Sequence, residues 1–329
     1  MLDAIQQNTT QKNEQKSALK AGANFGWIKR EETIMGTAIS VELWSDNHLA
    51  GITAIDAVMD EMHRIDRAMS PHKADSELSI INRDAGTRPI AISAEMFHLL
   101  ARAAYFSRLS DGAFDITYAA VGRLFDYRLH TRPTPDELAK ACLAVGYRNV
   151  QLDAKKMTVQ FARPDVRIDL GGFAKGHAVD NATRILRQLG IAHANVSAGG
   201  DSRVMGDRRG RPWMIGVRDP RSEDGVIAVL PLEDTSISTS GDYERFFMED
   251  GTRFHHLIDP ATGHSPNTVR SVTILAEDGL TTEAFSKIVF VLGKDKGMKL
   301  IESQDGVDAI IVDANGILHY STGLLAPQA

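Results

Sequence analysis

Along residues 37–44 the apolar side chains of Ile39, Val41 and Leu43 alternate with Ser40 and Glu42, the period of a half-buried strand. The period then changes. Ile52, Ile55, Val58, Met59, Met62 and Ile65 recur at helical spacing, and a second amphipathic helix is predicted over 94–109, stopped by Ser110-Asp111-Gly112. Thr134-Pro135-Asp136-Glu137 has the form of a capping box with proline at the first helical position, so a short helix starts there. Residues 150–152 and 157–161, joined by charged side chains, read as a hairpin. Further strands are predicted over 194–198, 213–217, 226–230, 253–258 and 271–276. A helix follows over 281–292, and 309–312 and 317–320 form a closing hairpin through Asn315-Gly316. Strands outnumber helices and follow one another directly, which predicts an α+β fold with antiparallel sheet rather than a doubly wound parallel one. Residues 31–329 read as a single domain.

The sharpest change of pattern falls at 166–180. An apolar strand is predicted over 166–170, broken by Arg167 and Asp169, and the pair Gly171-Gly172 follows it. Helical spacing then puts Phe173, Val179, Ala182, Ile185, Leu186 and Leu189 on one face, with Gly190 as the C-terminal cap. Glycines let a ligand approach the backbone where the free amides of a helix start attract anions, and Lys175 adds a cation one turn in. The arrangement suits a phosphate or pyrophosphate; a plain strand–turn–helix junction would show the same pattern. It matches neither G-x-G-x-x-G nor G-x-x-x-x-G-K-[ST], so neither a dinucleotide fold nor a P-loop follows.

The chain has 329 residues, 43% hydrophobic and 24% charged, enough for a sizeable core. A net charge of −6 argues against nucleic acid or a membrane surface as a general partner, and requires any anion site to be locally positive. A single cysteine, Cys142, excludes an internal disulfide and a cysteine-based metal site; it reads as a small buried apolar residue. No stretch is long and apolar enough to span a bilayer. Residues 1–30 read as a polar, flexible lead-in without the apolar core of a signal peptide. As written the chain is expected in the cytoplasm, or in the envelope or periplasm if a leader has been removed.

Asp169-Leu170-Gly171-Gly172-Phe173-Ala174-Lys175-Gly176 resembles D-L-G-G-I-A-K-G, the signature of the ApbE family of FAD:protein FMN transferases. Further landmarks of that family follow in order. They are Met35-Gly36-Thr37, Met69-Ser70-Pro71-His72 leading to Asp75-Ser76-Glu77-Leu78, and the run from Asp111-Gly112-Ala113 to Thr117. Ala198-Gly199-Gly200-Asp201, Ile237 to Tyr243, His256 to Gly263 and Phe290-Val291-Leu292-Gly293 complete the set. The resemblance runs from about Met35 to the C-terminus. It implies a two-lobed α+β architecture with largely antiparallel sheets and flanking helices, the flavin lying between the lobes. It also implies a reaction in which FMN moves from FAD onto a serine or threonine hydroxyl of an acceptor protein and AMP is released.

Such a reaction asks a poor nucleophile to attack one phosphorus of a pyrophosphate carrying two negative charges. It needs cations or amides on the non-bridging oxygens and a base near the hydroxyl. Gly171, Gly172 and Lys175 answer the first need. The resemblance implies Met35, His72, Ala113, Phe114, Asp115, Asp169, Lys175 and Ile258 as flavin-nucleotide contacts, His72 being able to stack on a flavin or adenine ring. It makes His256 the general base, because a neutral imidazole accepts a proton near neutral pH. The alternative is that His256 or His255 caps a strand end. Asp242-Tyr243 and Asp259-Pro260 read as structural.

The departure from the family pattern lies in the metal site. Relatives bind magnesium through the aspartate and threonine of D-x-x-x-T, with a backbone carbonyl corresponding to that of Gly172. A gap-free register between Val272-Thr273-Ile274 and Phe290-Val291-Leu292-Gly293 puts Glu283 at the aspartate and Lys287 at the threonine. Asp278 and Thr282 also have the spacing, but only with a shift of helix register. An ammonium is not a metal ligand and at i,i+4 would pair with Glu283. Three outcomes stand open: Lys287 touches the phosphates in the metal's place, the site holds FAD with reduced transfer, or magnesium binds with Gly172 and Glu283 among its ligands. Beside the transferase, an ApbE-like FAD-binding protein and an FAD pyrophosphatase using water are the alternatives.

Overall fold

The computed structural model describes residues 25–222 and 224–325. Most of the expected lead-in, 1–24, lies outside them, and its last part, 26–30, belongs to a strand. The first nine strands are β1 (Gly26–Ile34), β2 (Thr37–Ser45), β3 (Ile90–Ala91), β4 (Val150–Asp153), β5 (Thr158–Phe161), β6 (Ala194–Ala198), β7 (Asp201–Met205), β8 (Trp213–Arg218) and β9 (Val226–Leu232). The remaining six are β10 (Ser236–Gly241), β11 (Phe246–Glu249), β12 (Thr252–His255), β13 (Val269–Ala276), β14 (Asp308–Asp313) and β15 (Leu318–Tyr320). The helices are α1 (His48–Met69), α2 (Glu77–Asp84), α3 (Ala94–Leu109), α4 (Ala119–Gly122), α5 (Pro135–Cys142), α6 (Ala174–Gln188), α7 (Gly279–Ile301) and α8 (Thr322–Leu325).

Local chemistry accounts for much of this. Met35 and Gly36, both at positive φ, make the two-residue turn that pairs Ile34 with Thr37 and starts the β1–β2 hairpin. β2 buries Ile39, Val41 and Leu43 as its alternation requires. Asn47 caps α1 by accepting from the Ala50 amide, and the helix buries Ile55, Val58, Met59, Met62 and Ile65. The Thr134–Glu137 capping box forms in full at the start of α5.

Eight strands make one open sheet in the order β1-β2-β6-β7-β10-β13-β14-β15, antiparallel at every ladder. Helices α1, α6 and α7 cover one face over the main core. The β8–β9 hairpin covers part of the other through Trp213, Val204, Leu232, Ile237 and Leu275. A smaller lobe of α2, α3 and the sheet β3-β5-β4 is fused to the first, because Leu78, Ile81, Leu99, Phe106, Val159 and Phe161 belong to the same apolar cluster.

Several expectations need correction. Residues 166–170 form no strand. Their partners are the Asn82 side chain, which bonds both main-chain groups of Ile168 at 2.8 Å, and the carbonyl of Ile116, which accepts from the Asp169 amide. The strand predicted over 253–258 stops at His255, and the His256 amide donates instead to the Arg245 carbonyl. The helix predicted over 281–292 begins at Gly279 and resumes past a break at Gly293 (φ 76°, ψ 177°) to reach Ile301. Leu189 is 49% exposed, because the helix has ended at Gln188 before it. Cys142 is only partly buried.

Helices α6 and α7 touch backbone to backbone. A Cβ on Gly176 would stand 2.2 Å from the Gly279 carbonyl oxygen. The Asp180 carboxylate of α6 accepts from the first two amides of α7, Gly279 at 2.8 Å and Leu280 at 3.0 Å, and Asp278 caps Thr281. The Gly176→Ala variant tests this contact. In an open helix that change stabilises by about 1 kcal/mol. Here the helices must separate, so a loss of about 3 kcal/mol is expected in urea unfolding, and unchanged stability would show that they have room.

Candidate active site

The helix junction of the sequence motif is held by aromatic packing. Phe173, fully buried, sits 5.3 Å from Phe114 and 6.1 Å from Phe106, and Phe106 is 5.7 Å from Phe285 of α7 (ring centroids). Phe114 is thus a core residue at the floor of the junction. The junction is not an open row of amides. Gly171 donates to Asp169 Oδ1, Phe173 and Ala174 to the Leu170 carbonyl, and Gly176 to Glu283 Oε2 at 2.7 Å. A carboxylate of the chain itself occupies the positive end of α6.

Glu283 has no exposed side-chain surface, and a charge so placed needs partners. Lys175 Nζ lies 3.0 Å from its Oε1 and also pairs closely with Asp201 at the start of β7. Lys287 Nζ approaches the same Oε1 at 3.2 Å from one turn further along α7. Asp201 is supported by the Ser238 hydroxyl, which with Ser240 and Ser286 forms a short hydroxyl chain. Burial alone would depress the Lys175 ammonium, but Asp201 and Glu283 outweigh it and hold its pKa above the ordinary lysine value. Burial likewise opposes ionisation of Asp201; the charges of Lys175 and Lys287 prevail and lower its pKa. Two ammonium groups and two carboxylates therefore balance.

Lys287 also touches the glycine pair: a Cβ on Gly172 would meet its Cε at 3.1 Å. The gap-free register thus brings Glu283, Lys287 and Gly172 together, while Asp278 and Thr282 serve the start of α7. These residues do not fit a divalent cation as arranged. Both oxygens of Glu283 are engaged, two ammonium groups adjoin it, and a hard ion needs oxygen ligands. Among the described residues no three His, Cys, Asp or Glu side chains cluster as a metal site.

His256 follows the end of β12, with Nδ1 buried and without a hydrogen-bond partner. Burial, then the neighbouring His255, Arg245 and Lys287, push its pKa down to about 3, so the imidazole is neutral. Ile258 is buried beyond it, near Tyr118 and Gly122. The Asp169 charge, and burial after it, raise the Tyr118 phenol well above its usual value. His255 is different: its Nε2 bonds the Pro266 carbonyl at 2.8 Å and its ring packs on Phe290, a structural role. Asp242 is held by both arms of Arg221 at 2.7 Å, and Asp259 organises the turn to Gly263.

The remaining expected contacts are more dispersed. Met35 lies in the β1–β2 turn, whose Thr37 hydroxyl adjoins Gly199 just before Asp201. Ala113 leads into Phe114, and the Asp115 carboxylate is turned inward to cap Thr117, its pKa raised by burial against those hydrogen bonds. His72 is exposed in the turn before α2. Asp201 is buried and completes the cluster of Lys175 and Glu283; its only signal in the sequence is an acidic residue directly after the Gly199-Gly200 pair.

Two outcomes follow. Lys175→Met would take from buried Asp201 its ion-pair partner and from Glu283 one of its two ammonium groups, and is expected to cost about 3 kcal/mol in denaturant unfolding; a near-neutral effect would contradict the pairing. For His256, the unfolded chain takes up a proton below its ordinary pKa of 6.5, whereas the folded chain does so only near 3. The associated stability is present above pH 6.5 and is lost as the pH falls from there toward 3, on the order of 2 kcal/mol by pH 5. His256→Asn should flatten that part of the stability–pH curve, and an identical slope in the variant would refute the assignment.

The ApbE family's sequence profile matches residues 35–311. The FAD:protein FMN transferase of Treponema pallidum is 32% identical over 315 residues, covering 90% of this chain and 87% of that protein. The enzyme of the same name from Haemophilus influenzae is 34% identical over 305 residues, covering 88% and 87%. The crystal structure of the ApbE protein from Thermotoga maritima superposes with a TM-score of 0.84 at 35% identity, over 91% of this chain and 98% of that one. The flavin transferase ApbE of Vibrio cholerae gives 0.82 at 25% identity, over 92% and 99%. With the two-lobed antiparallel fold and the glycine–lysine junction, these matches make the chain a member of the ApbE family.

Proposed function

We propose that the protein transfers FMN from FAD onto a serine or threonine hydroxyl of an acceptor protein and releases AMP. The observation that carries this reading is the gathering of the Lys287 and Lys175 ammonium groups at the glycine junction, with a neutral imidazole, His256, within the field of Lys287. Relatives named FAD:protein FMN transferase cover nearly the whole chain and support it.

In this mechanism the pyrophosphate of FAD lies against Gly171 and Gly172, with Met35, His72, Ala113, Asp169 and Ile258 bordering the flavin nucleotide. The acceptor oxygen forms a bond to the FMN phosphorus and the bridging P–O bond breaks, its electron pair leaving with AMP. The hydroxyl proton passes to His256. Its low pKa comes first from burial, then from His255 and the cations Arg245 and Lys287. Two phosphate charges oppose those cations and raise the imidazole toward the neutral range, where a base is most effective.

The balanced charges around Glu283 favour a second reading, an FAD-binding protein with weak transfer. One incubation with FAD and a candidate acceptor separates the readings. In-gel flavin fluorescence on the acceptor supports transfer, free FMN and AMP indicate an FAD pyrophosphatase, and unchanged bound FAD indicates a carrier. His256→Asn should keep FAD affinity while lowering acceptor labelling by about two orders of magnitude. Joint loss of both would mark it as structural.

A further inference from the structure

Two cations, Lys175 and Lys287, stand at the glycine junction and a third, Arg245, acts on His256; they are not equivalent. Lys175 is committed to Asp201 and Glu283 together. Arg245 is exposed and acts on His256 from outside. Lys287 has one carboxylate oxygen, shared with Lys175, at 3.2 Å; the two side chains are similarly exposed, so the difference lies in the number of partners. Its stem lies along Gly172, so rotation about its last bonds carries the ammonium over the glycine pair. Glu283 would not be left bare by that movement, because Lys175 and the Gly176 amide still hold it.

We propose that Lys287 is the cation that meets the pyrophosphate of FAD, so that this chain binds and uses FAD without a divalent metal. The inference rests on the reading of the junction as an FAD site. An anion with two charges must be neutralised before a hydroxyl oxygen can approach its phosphorus. The space beside Glu283 suits a tethered ammonium better than a dication, since its oxygens already have three donors. The ammonium also reaches the field of both Asp201 and His256, which puts it between the carboxylate cluster and the base. Lys287 thus joins binding to chemistry: it leaves Glu283 for the phosphates as they arrive and returns when AMP departs.

The test is a fluorescence titration of the full chain with FAD, in excess EDTA and in excess magnesium. Equal affinity in the two conditions is expected, and this arm needs no variant. Lys287→Met should weaken binding on the order of tenfold to a hundredfold, the value of a charge-assisted phosphate contact. Thermal melts confirm that the variant is folded. Lys287→Thr combined with Glu283→Asp should bind poorly in EDTA and recover on adding magnesium. Abolition of wild-type binding by EDTA with recovery in magnesium overturns the proposal, as does wild-type affinity in folded Lys287→Met. No binding of FAD in either condition would remove the FAD reading itself. Metal-free binding without acceptor labelling would instead keep Lys287's role and remove only the transfer.

Discussion

The contact between Gly176 and Gly279 sets the distance on which the site depends. Packed helices usually keep their axes about 8–10 Å apart because side chains stand between them. Here two residues without side chains let the backbones meet, with the Gly279 carbonyl in the space that a Cβ would need. Glu283, one turn along α7, can then reach the amide of Gly176 and the ammonium of Lys175. Lys287, a further turn along, lands beside Gly172. The carboxylate of Asp180 locks the crossing by capping the start of the partner helix.

The electrostatics of the junction follow from that geometry. A helix N-terminus attracts anions, but at α6 the anion is built in. A fully buried carboxylate is stable only with donors on every side, and Glu283 has an amide and two ammonium groups. The site therefore holds itself together before any ligand arrives. Under the proposed role of Lys287, an incoming phosphate competes with an internal carboxylate for its ammonium. His256, within the field of Lys287, is uncharged and adds no counter-charge to it.

What was legible in the sequence was local. The alternation of β2, the periodicity of α1 and the capping box of α5 depend on neighbours within a few residues, and all appear. The Glu283–Lys287 pair was legible for the same reason, being one helical turn apart. Segment 166–170 has a strand's pattern but not its ladder, because its partners are the Asn82 side chain, 86 residues away, and a carbonyl in the helical turn after Asp115. The pairing of Lys175 was hidden likewise. Asp201 lies 26 residues on from Lys175, and Glu283 lies 107 on from Gly176, whose amide it also accepts. Strand β1 escaped notice because its charged run, Lys29 to Glu32, masks the alternation.

That charged run has a bearing on how the molecule meets its own copies. An open sheet ends in two strands with unsatisfied main-chain groups, and each is a template on which another chain can grow. At one end β1 presents Lys29, Arg30, Glu31 and Glu32 in succession, with Arg30 bound to Asp56 of α1. A foreign strand docking there must accommodate charge on both faces. At the other end β15 spans only three residues before α8 begins, too short to seed a ladder. Among the described residues, neither edge of the eight-stranded sheet offers a long apolar template to another copy.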